Sequence, residues 1–219
     1  MQIEKLGRLF ATKRIQPMHG PIIELLLQEY QSGDISKESW DLIVDIAACY
    51  PDVDLTKLDL LQGDLMPFQV EGVSKMIQIL EKQNGVFLAD DMGLGKTIQA
   101  IAMVWLVEKL PALVICPSAV KYNWKKEFEK WIPAEYEELK VSVLEGKSET
   151  GDFYDSNVVI CNYAILKARQ KEISILRPRF LIVDEFHKIK NSKAQRSKAV
   201  REIAFEMGND DPKLLLTGT

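Results

Sequence analysis

Apolar residues recur along this chain on two periods. Short continuous runs, Val86–Leu88, Ala112–Cys116, Val158–Cys161, Phe180–Val183 and Leu214–Leu216, have the length and branching of strands buried on both faces. Val141–Leu144 reads as another strand. Between these runs the period becomes helical. Pro67 opens a segment whose Val73, Met76, Ile77 and Leu80 share one face, and Asn84-Gly85 stops it. From about Ile98 a second helix is apolar on nearly every side and is ended by Pro111. A third, from about Ser118 to Trp131, carries Trp124, Phe128 and Trp131 among Lys121, Lys125, Lys126 and Lys130. A short basic helix follows Asn162-Tyr163, and Gly146–Ser156 reads as an exposed loop. This strand–helix alternation predicts an α/β fold, a parallel sheet covered by helices on both faces.

Upstream the pattern differs. Residues 1–19 show no clear period. Pro21 suits a first helical turn, Ile22, Ile23, Leu26, Leu27 and Tyr30 share a face, and Gly33 stops the helix. Asp34 or Ser36 caps a second helix with Trp40, Ile43, Val44 and Ala47 inward, ended by Pro51. Helices this short must pack on something. Residues 1–63 are therefore expected to form a small helical subdomain with an Asp-rich linker over 52–63, followed by the main domain over 64–219.

Composition narrows the class. The 219 residues are enough for one α/β domain and something smaller. No apolar run approaches the ~20 residues of a membrane span, and the N-terminus lacks a signal-peptide core. Cys49, Cys116 and Cys161 are far apart in apolar settings, with no Cys/His cluster. An intracellular protein with reduced thiols and no membrane partner is expected. The net charge of −4 argues at first against nucleic acid. It is segregated, however: of 28 basic and 32 acidic residues, positions 1–60 hold six and ten, leaving 22 of each for the rest. A locally basic surface remains possible on that neutral remainder.

Three stretches carry chemistry. Val86–Leu88 feeds Ala89-Asp90-Asp91-Met92-Gly93-Leu94-Gly95-Lys96-Thr97, a glycine-bearing turn that opens a helix. Backbone N–H groups of such a turn face one concavity and suit a polyphosphate, with Lys96 reaching the β- and γ-phosphates and Thr97 ligating Mg²⁺. The simple pattern wants glycine six residues before the lysine, and Asp90 stands there. Gln69, just upstream, offers a donor and an acceptor that match adenine. Phe180–Val183 ends in Asp184-Glu185, placing two carboxylates at the sheet's carboxyl edge about 90 residues after the loop. There Asp184 would hold Mg²⁺ through water and Glu185 would orient or deprotonate the attacking water. Lys188, Lys190, Lys193, Arg196, Lys198 and Arg201 follow without an intervening acid, a stripe that is either a solvated face or, favoured by its place after the two acids, a track for phosphates. Ser118 at a helix start could hold a DNA phosphate as well.

Leu65–Val73, Ala89–Thr97, Val114–Trp131, Asp184–Asn191 and Leu214–Thr219 occur in the order of the Swi/Snf-type ATPases of helicase superfamily two. Asp90-Asp91 and Met-Pro-Phe-Gln most resemble the annealing-helicase (HARP-like) branch. The resemblance covers about 64–219 and implies a P-loop RecA-like lobe. It also implies that Gln69 reads adenine and that Asp91, Met92, Gly93, Leu94, Gly95, Lys96 and Thr97 bind ATP. Thr97 and Asp184 would hold Mg²⁺, and Lys96, Asp184 and Glu185 would be catalytic. His187, Thr217, Gly218 and Thr219 would couple nucleotide to DNA, with Ser118, Tyr163, Lys188, Lys190 and Asn191 on the nucleic acid. Members translocate on double-stranded DNA, remodelling protein–DNA complexes or annealing strands. Two departures stand out: Met66 replaces the usual arginine before Pro-Phe-Gln, and Phe186 replaces a small residue after the two acids. The resemblance further implies a second RecA-like lobe supplying arginines, so this chain reads as a fragment with little turnover of its own. A non-catalytic nucleotide-binding scaffold, or a lobe of a strand-separating helicase or restriction-type motor, are the alternatives.

Overall fold

The computed structural model describes residues 55–133, 139–146 and 153–218, with the short pieces 32–33 and 36–37. Nearly all of the two helices expected over 21–51 lies outside the described residues, as do part of the 146–156 loop and Thr219. Six strands form one parallel sheet: β1 (Gly85–Leu88), β2 (Ala112–Cys116), β3 (Val141–Val143), β4 (Val158–Asn162), β5 (Phe180–Val183) and β6 (Lys213–Leu216). Their spatial order is β1-β6-β5-β2-β4-β3. The last strand in sequence is thus inserted between the first and the fifth, with Leu88 paired to Leu216 and Val183 to Leu215.

The period-two geometry of strands divides the apolar runs between two cores. Ala112, Val114, Cys116, Phe180, Ile182, Leu214 and Leu216 face one side, and Leu113, Ile115, Leu181 and Val183 the other. The first side is covered by α1 (Pro67–Leu80), α2 (Lys96–Val107) and α3 (Lys121–Trp131). α4 (Gln170–Leu176) and α5 (Gln195–Glu206) cover the second. Every residue of β2, β4 and β5 is buried, as a sheet covered on both faces requires.

Four local departures have physical causes. α2 begins at Lys96, two residues earlier than expected, because Gly95 takes the left-handed N-cap conformation (φ 74°). The helix expected from Ser118 is split into a 3-10 turn, Ser118–Val120, and α3. α5, unmarked in the sequence reading, lies inside the basic stripe; only Ser197, Ala199, Val200 and Ile203 are buried, too sparse an apolar face to stand out. The segment expected as a linker is packed where it is described. Leu55–Leu60 is a 3-10 turn, and Leu55, Leu58 and Leu61 are buried in the core under α2. Their three-residue spacing matches the 3-10 period, a signal masked by the flanking aspartates. Trp105 Nε1 donates to the Lys57 carbonyl (2.8 Å), and Lys57 pairs with Glu108 (2.7 Å), fastening the segment to α2.

If this turn belongs to the domain core, Leu58→Ala should lower unfolding free energy by about 2–4 kcal/mol in chemical denaturation. A free linker would show a loss within ~0.5 kcal/mol.

Candidate nucleotide site and basic groove

Because β1, β6 and β5 are neighbours, their carboxyl ends release the chain into one cleft of about 380 Å³. Gly93, Gly95, Lys96 and Thr97 line it from the loop after β1. Asp184 and Glu185 enter from β5, and Gly218 from the end of β6. The Thr217 N–H donates to the Leu88 carbonyl (3.1 Å), extending the β1–β6 pairing past the strand end. Gly93 (φ 87°) and Gly95 (φ 74°) hold left-handed conformations that turn the loop back on itself. At Gly95 a Cβ would also lie 2.4 Å from Gln69 Nε2, so the position is closed to side chains twice over.

Lys96 Nζ donates to the carbonyls of Asp90 (2.7 Å) and Asp91 (2.8 Å), holding its ammonium within the curl of its own loop. Asp91 and Leu94 are exposed and do not line the cleft, whereas the exposed Met92 does. Gln69 is committed differently from the sequence expectation. Its Oε1 accepts from the Met66 N–H (2.9 Å) and its Nε2 donates to the Leu94 carbonyl (3.2 Å). One end of the amide therefore caps α1 and the other braces that helix against the loop.

Asp184 is anchored from three sides. Its N–H donates to the Ile115 carbonyl (2.8 Å), its Oδ2 accepts from Trp124 Nε1 (3.0 Å), and its carbonyl accepts from the Tyr163 hydroxyl (2.5 Å). Burial raises its carboxyl above the ordinary aspartate range; the Trp124 hydrogen bond opposes that shift and Glu185 adds to it. Glu185 has a left-handed backbone (φ 54°), a strained conformation at a candidate catalytic residue. Its buried Oε2 is 3.1 Å from His187 Nδ1, which lies 3.4 Å from Thr217 Oγ1. His187 thus stands between the carboxylate and the end of β6.

The opposite wall of the cleft was not legible as a site. Asn123, Glu127 and Trp131 of α3 line it, and Trp131 Nε1 donates to Glu127 Oε2 (2.9 Å). The i, i+4, i+8 spacing was visible, but aromatics among lysines read as core. The donor set fits a magnesium nucleotide: loop N–H groups in a left-handed turn, one ammonium, a helix N-terminus with Thr97, and a fixed carboxylate.

A second, basic groove of about 480 Å³ runs beside the first. Ser118, Tyr163 and Lys188 line it together with Lys167, Gln195 and Arg196. Lys190 and Asn191 are not among its lining residues, and Asn191 Oδ1 accepts from the Lys193 N–H (3.0 Å). Tyr163 is buried, with its hydroxyl turned inward to Asp184. Lys167 was overlooked because it stands outside the basic stripe.

The SNF2-related domain family matches residues 68–219. The SWI/SNF-related matrix-associated actin-dependent regulator of chromatin subfamily A-like protein 1 of Xenopus laevis is 32% identical over 208 residues, 94% of this chain and 20% of that protein. The DNA annealing helicase and endonuclease ZRANB3 of Homo sapiens is 36% identical over 166 residues, 74% of this chain and 15% of the relative. The solved Sulfolobus solfataricus SWI2/SNF2 ATPase core in complex with dsDNA aligns with a TM-score of 0.63 at 31% identity, covering 73% of this chain and 33% of that one. The chain spans about a fifth or less of these curated relatives.

Asp184 makes the site measurable as a stability defect. Its carboxyl is raised in the folded state, so the folded protein loses stability as pH climbs through that raised value. In metal-free buffer Asp184→Asn should therefore melt above wild type at pH 7. The gap should close as pH falls to the ordinary aspartate range; equal melting at pH 7 would contradict the burial argument.

Proposed function

The chain belongs to the SNF2-related domain family, and on that premise we propose that it is the ATP-binding RecA-like lobe of a DNA-stimulated ATPase. The full-length protein translocates on double-stranded DNA to remodel protein–DNA complexes or anneal strands. The observation that carries this reading is the convergence of three strand ends on one cleft, bringing Lys96 and Thr97 opposite Asp184 and Glu185.

In this reading the loop N–H groups and the N-terminus of α2 receive the phosphates of ATP. Lys96 leaves the Asp90 and Asp91 carbonyls and turns to the β- and γ-phosphate oxygens. Thr97 and Asp184 would hold Mg²⁺, which would supply neutralisation of the charge on the phosphate oxygens. Trp124 occupies one oxygen of Asp184 and fixes the direction of the other. Glu185 orients the attacking water and accepts its proton. His187, between Glu185 and Thr217, reports the state of that carboxylate to the end of β6.

Lys96 is the only lysine or arginine lining the cleft among the described residues. Charge that builds on the transferring phosphoryl group needs further cations, so the proposal includes arginines from a second RecA-like lobe. Such a residue is typically worth about 10³–10⁵ in rate, and the chain by itself binds ATP with little turnover. The basic groove holds backbone phosphates of duplex DNA through Lys167, Lys188 and Arg196, with Ser118 and the N-terminus of α5 alongside.

Lys96→Ala should abolish ATP binding in calorimetry. Glu185→Gln should still bind ATP, while turnover by the full-length protein in duplex DNA falls at least ~100-fold. Wild-type turnover in both variants, or turnover indifferent to duplex, would overturn the motor reading in favour of a non-catalytic scaffold or another chemistry. Separately, Arg196→Ala should weaken duplex binding and reduce the salt slope by about one, without a change in sequence preference.

A further inference from the structure

Asp90 occupies the position at which the simple phosphate-loop pattern has glycine, and its carboxylate adds negative charge to a loop read as receiving a polyphosphate. Electrostatics alone would select against it. The structure shows what holds it. Gln99, one turn into α2, is wholly buried, and its Nε2 donates to Asp90 Oδ2 at 2.9 Å. The same Nε2 lies 3.5 Å from the Leu94 carbonyl, the atom to which Gln69 also donates. Gln99 Oε1 finds no hydrogen-bond donor among the described residues and rests against α1 at Gly72. A Cβ on Gly72 would sit 2.3 Å from that oxygen, so α1 leaves room for the amide only by carrying glycine there.

A buried amide with an unpartnered oxygen is a stability defect. A site that tolerates one has another use for the group. Asp90 is tied at two points: its carbonyl to Lys96 Nζ (2.7 Å) and its carboxylate to Gln99. In the proposed binding step Lys96 leaves for the phosphates. Gln99 then becomes the side-chain anchor that remains on this end of the loop.

We propose that Gln99 is a positioning residue that keeps the phosphate loop in its binding shape when Lys96 is withdrawn, with Asp90 as its ligand and Gly72 as the gap that admits it. This rests on the ATP-binding reading of the loop. The lock and bare electrostatics predict opposite signs at Asp90. Asp90→Ala removes both the charge and the acceptor; the lock makes ATP binding about tenfold weaker, whereas charge relief alone makes it tighter. Asp90→Asn removes the charge but keeps an acceptor for Gln99 Nε2, and should bind within about twofold of wild type or tighter. Gln99→Leu fills the pocket without the donor and should also weaken binding about tenfold. The double variant Asp90→Ala/Gln99→Leu should be no weaker than either single change, because the two residues act through one bond.

The experiment is calorimetric titration of the full chain with MgATP, using Lys96→Ala as the blank and far-UV circular dichroism to confirm folding. If wild type fails to bind ATP, the reading of the site falls and this proposal with it. If wild type binds and Lys96→Ala does not, the site reading stands. Asp90→Ala binding as tightly as wild type, or tighter, would then overturn the lock alone. Should Gln99→Leu not fold, the two Asp90 variants on the partly exposed loop decide the matter by their difference.

Discussion

Everything that can do chemistry in this chain depends on strands running in the same direction. A parallel strand cannot be joined to its neighbour by a tight turn, so each connection must cross back over the sheet before the next strand begins. All six carboxyl ends consequently lie along one edge. Insertion of β6 between β1 and β5 makes the ends of those three strands adjacent, although nearly 90 residues separate the phosphate loop from Asp184-Glu185 and about 30 more separate those acids from Thr217. The helices supply the cover that makes this edge a cleft.

The same edge concentrates features that work against stability. Asp184 is a carboxylate held in a setting that favours its protonated form. Glu185 sits in a backbone conformation that favours glycine, and Gln99 buries an amide oxygen without a donor among the described residues. None of these helps the fold, and the dense apolar packing on both faces of the sheet offsets them. Left-handed backbone also occurs at Glu108 and Arg177, where it ends helices; at Glu185 it ends no helix and lies beside the cleft, as expected where a site's geometry overrides folding.

The two grooves share walls. Tyr163 lines the basic groove and donates to the carbonyl of Asp184, which lines the nucleotide cleft. Lys188 follows Glu185 by three residues, and its N–H donates to the Glu185 carbonyl (2.9 Å). Both bonds are to main-chain carbonyls, so a shift of the backbone at Asp184 or Glu185 would reach the basic groove directly. In the proposed motor, ATP state and grip on the duplex meet in these residues rather than through a long relay.

Much was legible in the chain before any tertiary contact. Continuous apolar runs marked the strands because a strand buried on both faces has no polar position to alternate with. Gly-Leu-Gly-Lys-Thr and Asp-Glu marked the residues that meet in the candidate cleft because their local geometry is set by neighbours in sequence. What only the tertiary structure decided are the roles made by partners distant in sequence. Gln69 and Gln99 both aim at the Leu94 carbonyl, Trp124 at Asp184, and Leu55, Leu58 and Leu61 at the core. A helical period shows which face of a residue turns inward, but not which atom waits there. Backbone propensity and hydrophobic pattern are local and survive in the sequence; an amide's choice of partner depends on how the strands are ordered, and that order is set only when the whole sheet packs.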